Sequence, residues 1–409
     1  MSKRVVVTGM GGISPIGHNW EEVQDNLKNL KSGVEYIADW DQFDELVTRC
    51  GAPVKNFEKP AHYTRKQVRS MGRVSILSTR ASEIALIDAG LLEDPIITSG
   101  AMGVAFGSCT GSTDAIWQFA RMRAEGSMRG ITATSYIRMM PHTTAANVGL
   151  FFHLKGRVIP TSSACTSGSQ GIGYSYEAIK NGKQILMIAG GAEELCVTEA
   201  AVFDVMYATT KLNDTPQLTP RPFDEERDGL VIGEGAGALV LEDLEYAKAR
   251  GAKIYAEVVG FGTNSDGSHI TQPSHETMMK SMEMALDDAK LSPDAIGYVN
   301  AHATATELGD IAESIATHNL FGSNIPVSSL KSYMGHTLGA SGSLESWMSI
   351  EMMNNNWYAP TLHLKNIDNR CAELDYIKDK GRQMQNEYVM NNNFAFGGIN
   401  TSLIFKRWG

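Results

Sequence analysis

One cysteine and two histidines differ from the chain's other polar residues in the company they keep. Cys165 sits in Thr161-Ser-Ser-Ala-Cys-Thr-Ser-Gly-Ser-Gln-Gly171, where a short run at 157–160 gives way to small side chains and then to a helical stretch. That order reads as strand, sharp turn and helix, which is how serine hydrolases present their nucleophile. A thiol there is expected to be exposed and to face the unpaired N–H groups and positive end of the helix. Both favour thiolate, the nucleophilic form. A free cysteine is more often a small buried core residue, and Cys50, Cys196 and Cys371 keep that reading. Cys109, after a strand and among small residues, is the one rival nucleophile.

His302 lies in Val299-Asn-Ala-His-Ala-Thr-Ala-Thr-Glu-Leu-Gly-Asp310 and His336 in Ser328-Ser-Leu-Lys-Ser-Tyr-Met-Gly-His-Thr-Leu-Gly339. Each follows a predicted strand, and loops at strand C-terminal ends are where α/β proteins place reacting groups. Two neutral imidazoles can donate N–H bonds to an enolate oxygen as it forms. No carboxylate or third histidine stands at ligand spacing, so no metal is expected. Near the end, Asn391-Asn-Asn-Phe-Ala-Phe-Gly-Gly-Ile-Asn400 reads as a loop before the apolar strand 402–405. Its adjacent glycines let backbone approach a ligand, and its N–H groups could form an oxyanion hole with the N–H of Cys165.

These groups need a scaffold that brings distant loops together. Buried strands are expected at 4–8, 103–107, 157–160, 185–191, 236–241, 256–262, 296–301 and 325–329, the first followed by a tight loop at Gly9, Gly11 and Gly12. Helices are expected at 74–89, 171–181 and 277–290. Alternation of this kind predicts an α/β fold with largely buried sheets. Segment 158–171 is echoed by segment 325–339, each a strand, a small-residue turn and a small-residue helix. The echo divides the chain into related halves, 1–250 and 251–409, meeting where the charged helix 244–250 ends at Gly251.

A chain of 409 residues, 43% hydrophobic and 20% charged, can bury a large core without disulfides. Its five scattered cysteines form no C-x-x-C pair, which argues against both a disulfide framework and a zinc site. A formal charge of −10 argues against general nucleic-acid binding. No signal core or membrane-spanning run is visible, so a cytoplasmic location is expected.

Taken together, the segments resemble the ketoacyl synthases of bacterial type II fatty-acid and polyketide systems, from Val5-Val-Val-Thr-Gly-Met10 to Asn400-Thr-Ser-Leu-Ile-Phe405. The closest matches are Ser163-Ala-Cys-Thr-Ser-Gly168, Arg221-Pro-Phe-Asp224, Arg227-Asp-Gly229, Asn300-Ala-His302, Lys331 with Gly335-His336, and Phe396-Gly-Gly398. The resemblance implies a thiolase-type five-layer αβαβα fold of two duplicated halves. It implies a dimer, with a second copy or with a related chain-length subunit, and a catalytic set of Cys165, His302 and His336. Lys331 and Glu345 would support that set electrostatically. Thr304 and Thr306 would contact the pantetheine arm, and Thr110 would limit the depth of the acyl pocket. Phe396 would gate the nucleophile and share the oxyanion hole.

The implied cycle loads Cys165 from an acyl carrier protein, decarboxylates malonyl carrier protein and condenses the two. No cofactor is implied beyond the carrier's phosphopantetheine. Carrier proteins are acidic, so Arg65, Lys66, Arg69 and Arg73, or Arg121, Arg123 and Arg129, are candidate docking clusters. The resemblance favours Lys66 and Arg69. Departures from the usual family motifs at His302-Ala-Thr-Ala-Thr-Glu307, Lys331-Ser-Tyr-Met-Gly-His336 and Phe394-Ala-Phe396 bring the chain closer to aryl polyene ketosynthases than to housekeeping synthases. The competing readings are a thiolase, a non-catalytic partner subunit and a cysteine protease. A thiolase would place a late cysteine in a Cys-x-Gly setting, unlike Asn369-Arg-Cys-Ala-Glu-Leu374. A partner subunit would lack Cys165, and a protease would need a histidine oriented by Asn or Asp.

Overall fold

Eleven strands form one mixed sheet in the computed structural model, which describes residues 2–409. They are β1 (Val5–Ile13), β2 (Met102–Gly107), β3 (Val158–Pro160), β4 (Leu186–Glu193), β5 (Gly235–Asp243), β6 (Ala256–Ser265), β7 (Ile296–Asn300), β8 (Pro326–Ser328), β9 (Asp375–Tyr376), β10 (Tyr388–Ala395) and β11 (Ile399–Arg407). Their order across the sheet is β9-β8-β7-β10-β11-β6-β1-β5-β4-β2-β3. The principal helices are α1 (Arg73–Asp88), α2 (Ser167–Lys180), α3 (Val197–Asp204), α4 (His275–Ala289), α5 (Glu307–Phe321) and α6 (Ser341–Asn354).

The sheet is the same unit built twice. In the first, β1 pairs antiparallel with β5, β5 antiparallel with β4, β4 parallel with β2, and β2 parallel with β3. In the second, β6 pairs antiparallel with β11, β11 antiparallel with β10, β10 parallel with β7, and β7 parallel with β8. Val5–Val7 of β1 meet Ala256–Val258 of β6 antiparallel, which joins the units into one sheet. Helix α1 covers β1, β4 and β5 on one outer side, and α4 covers β6 and β11 on the other. Between the units, α2 and α6 pack on each other, α2 against β4 and β2 and α6 against β10 and β5. The layers are therefore α, β, α, β, α.

The glycines of β1 show how closely those layers approach. The sequence places Gly9, Gly11 and Gly12 in a loop, but β1 runs through them with every residue buried. A Cβ on Gly9 would stand 2.2 Å from the carbonyl oxygen of Ala85, and one on Gly11 2.3 Å from that of Ala81. These glycines admit α1 onto the strand. The device recurs in the second unit, where a Cβ on Gly260 would stand 2.3 Å from the oxygen of Ala285 and one on Gly262 2.0 Å from that of Ser281, both on α4.

Residues 391–393, read from the sequence as a loop, lie inside β10, and all three asparagines are buried. The chain turns only at Phe396–Gly398, where Gly397 and Gly398 take φ of 85° and 69°. Cys165 follows β3, His302 follows β7, His336 follows β8 and Phe396 follows β10. Each lies beyond the C-terminal end of a parallel strand, so the duplicated topology brings all four to the centre of the molecule.

Candidate active site

The turn carrying Cys165 is held by its own small side chains. Thr166 Oγ1 donates to the Ser163 carbonyl at 2.7 Å, Ser167 Oγ to the Ala164 carbonyl at 2.7 Å, and Thr161 Oγ1 to the Ser167 carbonyl at 2.9 Å. Ala164 takes a positive φ of 51°, a strained backbone of the kind kept at functional turns. Two expectations about Cys165 fail here. Its side chain is not exposed: the residue is 4% accessible. Nor is the thiol lowered toward thiolate. Burial pushes it up to about 11, outweighing the Lys331 cation and the N–H groups of Phe396 and Cys165, which all act the other way.

Both histidines converge on the sulfur. His336 Nε2 lies 2.9 Å from Cys165 Sγ, and its Nδ1 lies 3.0 Å from Ser341 Oγ at the start of α6. The His302 ring stands perpendicular to that of His336, with centroids 5.1 Å apart, and its Nδ1 is buried with no hydrogen-bond partner among the described residues. Burial, then the Lys331 cation, hold both imidazoles well below the usual histidine range, so each is neutral. A neutral imidazole offers one donor and one acceptor nitrogen.

Lys331 and Glu345 are both fully buried and bonded to each other, Nζ to Oε1, at 2.5 Å. The other carboxylate oxygen accepts from Asn393 Nδ2 at 2.7 Å. Asn393 Oδ1 in turn accepts from Ser169 Oγ and from Asn391 Nδ2. An ion pair this deep persists only with its remaining lone pairs satisfied, and β10 supplies the satisfying amide. The sequence reading gave Asn393 no role, because its partners lie 48 and 224 residues away.

A cavity of about 570 Å³ leads from the sulfur to the surface past Phe396, Thr304, Thr306, Leu308 and Tyr207. Thr304 and Thr306 touch through their hydroxyls at 3.0 Å. The loop that carries them is strung from two acids on α5. Asp310 accepts from the N–H of Thr304 and of Ala305, and Glu313 accepts from the N–H of His302 and of Ala303. Burial pushes Asp310 up to about 6 against the pull of Arg227, and Glu313 up to about 8. These acids were missed, although two acids three residues apart on the helix following His302 were a visible signal. Phe396 stacks on Phe203 with ring centroids 5.1 Å apart.

The remaining candidates lie further out. Thr110 donates to Glu199 Oε1 at 2.9 Å. Burial raises the Cys109 thiol well above its ordinary value, and the first of the charges that add to this is Glu193. Arg65, Lys66 and Arg69 are exposed on and beside one helical turn, and none forms an ion pair among the described residues. Arg73 leaves that cluster, because its guanidinium is bound to the buried Glu234. In the second cluster Arg121 lies over the Trp117 ring at 4.9 Å, while Arg123 and Arg129 are exposed. Donor atoms of Cys165, His302 and His336 lie within 4.8 Å of one another, close enough to hold a metal ion.

Residues 2–247 match the family described as beta-ketoacyl synthase, N-terminal domain, and residues 255–365 match beta-ketoacyl synthase, C-terminal domain. A 3-oxoacyl-[acyl-carrier-protein] synthase 2 of Vibrio cholerae is 38% identical over the whole of both chains. The crystal structure of a beta-ketoacyl synthase from Burkholderia phymatum superposes with a TM-score of 0.99 at 60% identity, each chain fully covered. A ketosynthase solved with its type II polyketide acyl carrier protein and bound to the hexaketide superposes with a TM-score of 0.88 at 29% identity, again over both full chains.

Proposed function

The chain belongs to the beta-ketoacyl synthase family and is a condensing acyltransferase of the 3-oxoacyl-carrier-protein synthase type; from that premise we propose how its own residues do the work. The observation that carries the proposal is the meeting of four groups on one sulfur: His336 Nε2, the His302 ring beside it, and the N–H groups of Cys165 and Phe396. Cys165 attacks the carbonyl of an acyl thioester. Its proton passes to the departing arm thiol, and the two N–H groups hold the tetrahedral oxyanion.

A malonyl thioester then enters by the same cavity, its arm resting on Thr304 and Thr306. Loss of carbon dioxide leaves an enolate, whose oxygen takes hydrogen bonds from the neutral imidazoles. Its carbon attacks the acyl-Cys165 carbonyl, and collapse expels the Cys165 thiolate, which takes up one proton from water. Neutral histidines suit this step because an imidazolium beside a basic thiolate would simply lose its proton to it. Lys331 and Glu345 keep the local charge fixed while these groups change theirs. The same ammonium opposes a divalent cation at the Cys165, His302 and His336 donors, so we read the site as metal-free, with phosphopantetheine brought only by the carrier.

The narrower reading is an aryl polyene or related polyketide pathway, supported by motif departures that all border the site at 303–307, 333–334 and 395. Housekeeping elongation is the alternative, and a non-catalytic chain-length subunit is disfavoured by the retained nucleophile. We take the halves to meet between residues 250 and 251. Lys66, Arg69 and Arg129 are taken as the docking charges for the acidic carrier. A dimer, with a like or related chain, is supported by β3, which ends the sheet with Val158 49% exposed and its outer edge unpaired among the described residues. No helix is long and apolar enough to cross a membrane among the described residues, in keeping with a cytoplasmic enzyme. Intact-protein mass after incubation with short saturated, long saturated and aryl-polyenoyl carrier proteins tests the reading. One adduct that vanishes in Cys165→Ala is expected, and no adduct from any donor would refute it.

A further inference from the structure

A native fold rarely buries a carboxyl oxygen without a partner, because the lost hydration is not recovered. Glu199 on α3 does this within reach of the nucleophile's neighbours. It is 4% exposed, its Oε1 accepts from Thr110 Oγ1 at 2.9 Å, and its Oε2 has no hydrogen-bond partner among the described residues. Glu193, 3.4 Å from the same hydroxyl, is satisfied: its Oε2 accepts from the N–H of Cys109 at 2.6 Å and of Gly339 at 3.1 Å. Burial, reinforced by Glu193, raises the Glu199 carboxyl well above its ordinary range. Glu199 is then a neutral acid with one unmet hydrogen-bonding position.

Its place in the fold says what could meet that need. One turn along α3, Phe203 stacks on Phe396, and both belong to the apolar cluster that holds Cys109 and Cys165. Cys109 and Thr110 keep a little exposed surface although Ser108 and Ser112 beside them are buried. The cavity past Thr304 and Thr306 must be free for the second carrier arm while the first acyl group stays on the sulfur. The acyl chain therefore lies on the other side, and Cys109, Thr110 and Glu199 are absent from the lining of the arm's cavity.

Resting on the reading of Cys165 as the acyl-bearing nucleophile, we propose that Glu199 and Thr110 form a subsite for a hydroxyl group carried on the acyl chain. The subsite selects such chains over all-hydrocarbon chains of equal length. A hydroxyl fits because it both donates and accepts, as a neutral carboxyl does. A carboxylate on the chain would face two acids, and an ammonium would lose its hydration in an apolar cluster.

The test is the single-turnover rate of Cys165 acylation, read by intact mass, with pairs of carrier-bound chains of equal length ending in hydroxyl or methyl. Wild type is expected to load the hydroxyl member at least about tenfold faster at the length that spans the pocket. Glu199→Gln should keep most of that preference. Glu199→Leu should erase or invert it, with circular dichroism and thermal unfolding matching wild type to show that the variant is folded. Equal rates for wild type at every length, or the same preference in wild type and Glu199→Leu, overturn the subsite alone. A Leu variant that alters subunit association without altering preference also overturns it, since Oε2 would then serve the partner. No adduct with either member of any pair overturns both the subsite and the condensing reading beneath it.

Discussion

Alkylation of Cys165 by iodoacetamide should be slow at neutral pH and should quicken with pH far beyond the range of an ordinary thiol. Burial holds the thiol near 11, against an ordinary value of 9.0. The gap of about two pH units corresponds to about 3 kcal/mol against the thiolate. At pH 8 roughly one molecule in a thousand carries thiolate at Cys165, against roughly one in ten for an unperturbed thiol, so the rate should be about a hundredfold lower. The sign follows from the reactive species. Raising the pH deprotonates the thiol, so the rate climbs about tenfold per pH unit and bends only near 11. The assay is the rate of mass gain at Cys165, with Cys165→Ala subtracting the other cysteines, at pH values where circular dichroism shows the fold intact. A thiolate–imidazolium pair of the protease kind would give a plateau from acid through neutral pH. A plateau beginning below pH 8 would refute the argument that burial outweighs Lys331 and the two N–H donors.

Removing one member of the buried ion pair should cost more than removing both. Lys331→Met is expected to lose about 3–5 kcal/mol in chemical denaturation, and Lys331→Met/Glu345→Leu to regain most of it while remaining inactive in condensation. Gly11→Ala and Gly262→Ala should each destabilise by about 1–3 kcal/mol or more, because their Cβ atoms would meet helix carbonyls at 2.3 and 2.0 Å. Equal stability to wild type would refute the close-approach account of the two units. Thr304→Val with Thr306→Val should raise KM for carrier-bound malonate about tenfold and leave kcat within a few-fold, as loss of uniform binding does. Lys66→Glu with Arg69→Glu should weaken carrier binding and flatten its salt dependence in titration calorimetry. Unchanged affinity would remove both residues from docking.

The clustering of Cys165 with His302 and His336 was legible because each carries its signal locally, in a strand end followed by small residues. The duplicated architecture was legible for the same reason, since Ser162–Gly171 and Ser329–Gly339 repeat one local pattern. What failed was set by tertiary packing. The helix start at Thr166 argues for thiolate, but the argument is local, and the burial that reverses it comes from distant parts of the chain. Gly9 and Gly11 look like a turn until α1 is laid across them. Three successive asparagines look like loop until Asn393 is seen holding Glu345 and Asn391 bonding Asn300. Glu199 carries no sequence signal, because its meaning lies in an oxygen with no partner among the described residues.

The most direct test of the central claim is one turnover of isolated acyl-enzyme. Wild type loaded at Cys165 and freed of donor is mixed with malonyl carrier protein labelled at the free carboxyl, and carbon dioxide, carrier product and free enzyme are counted together. Condensation at this site predicts one carbon dioxide and one β-ketoacyl carrier for each acyl group lost from Cys165. Acyl groups released as free acid, or carbon dioxide evolved with no acyl carbon joined to the carrier, would contradict it.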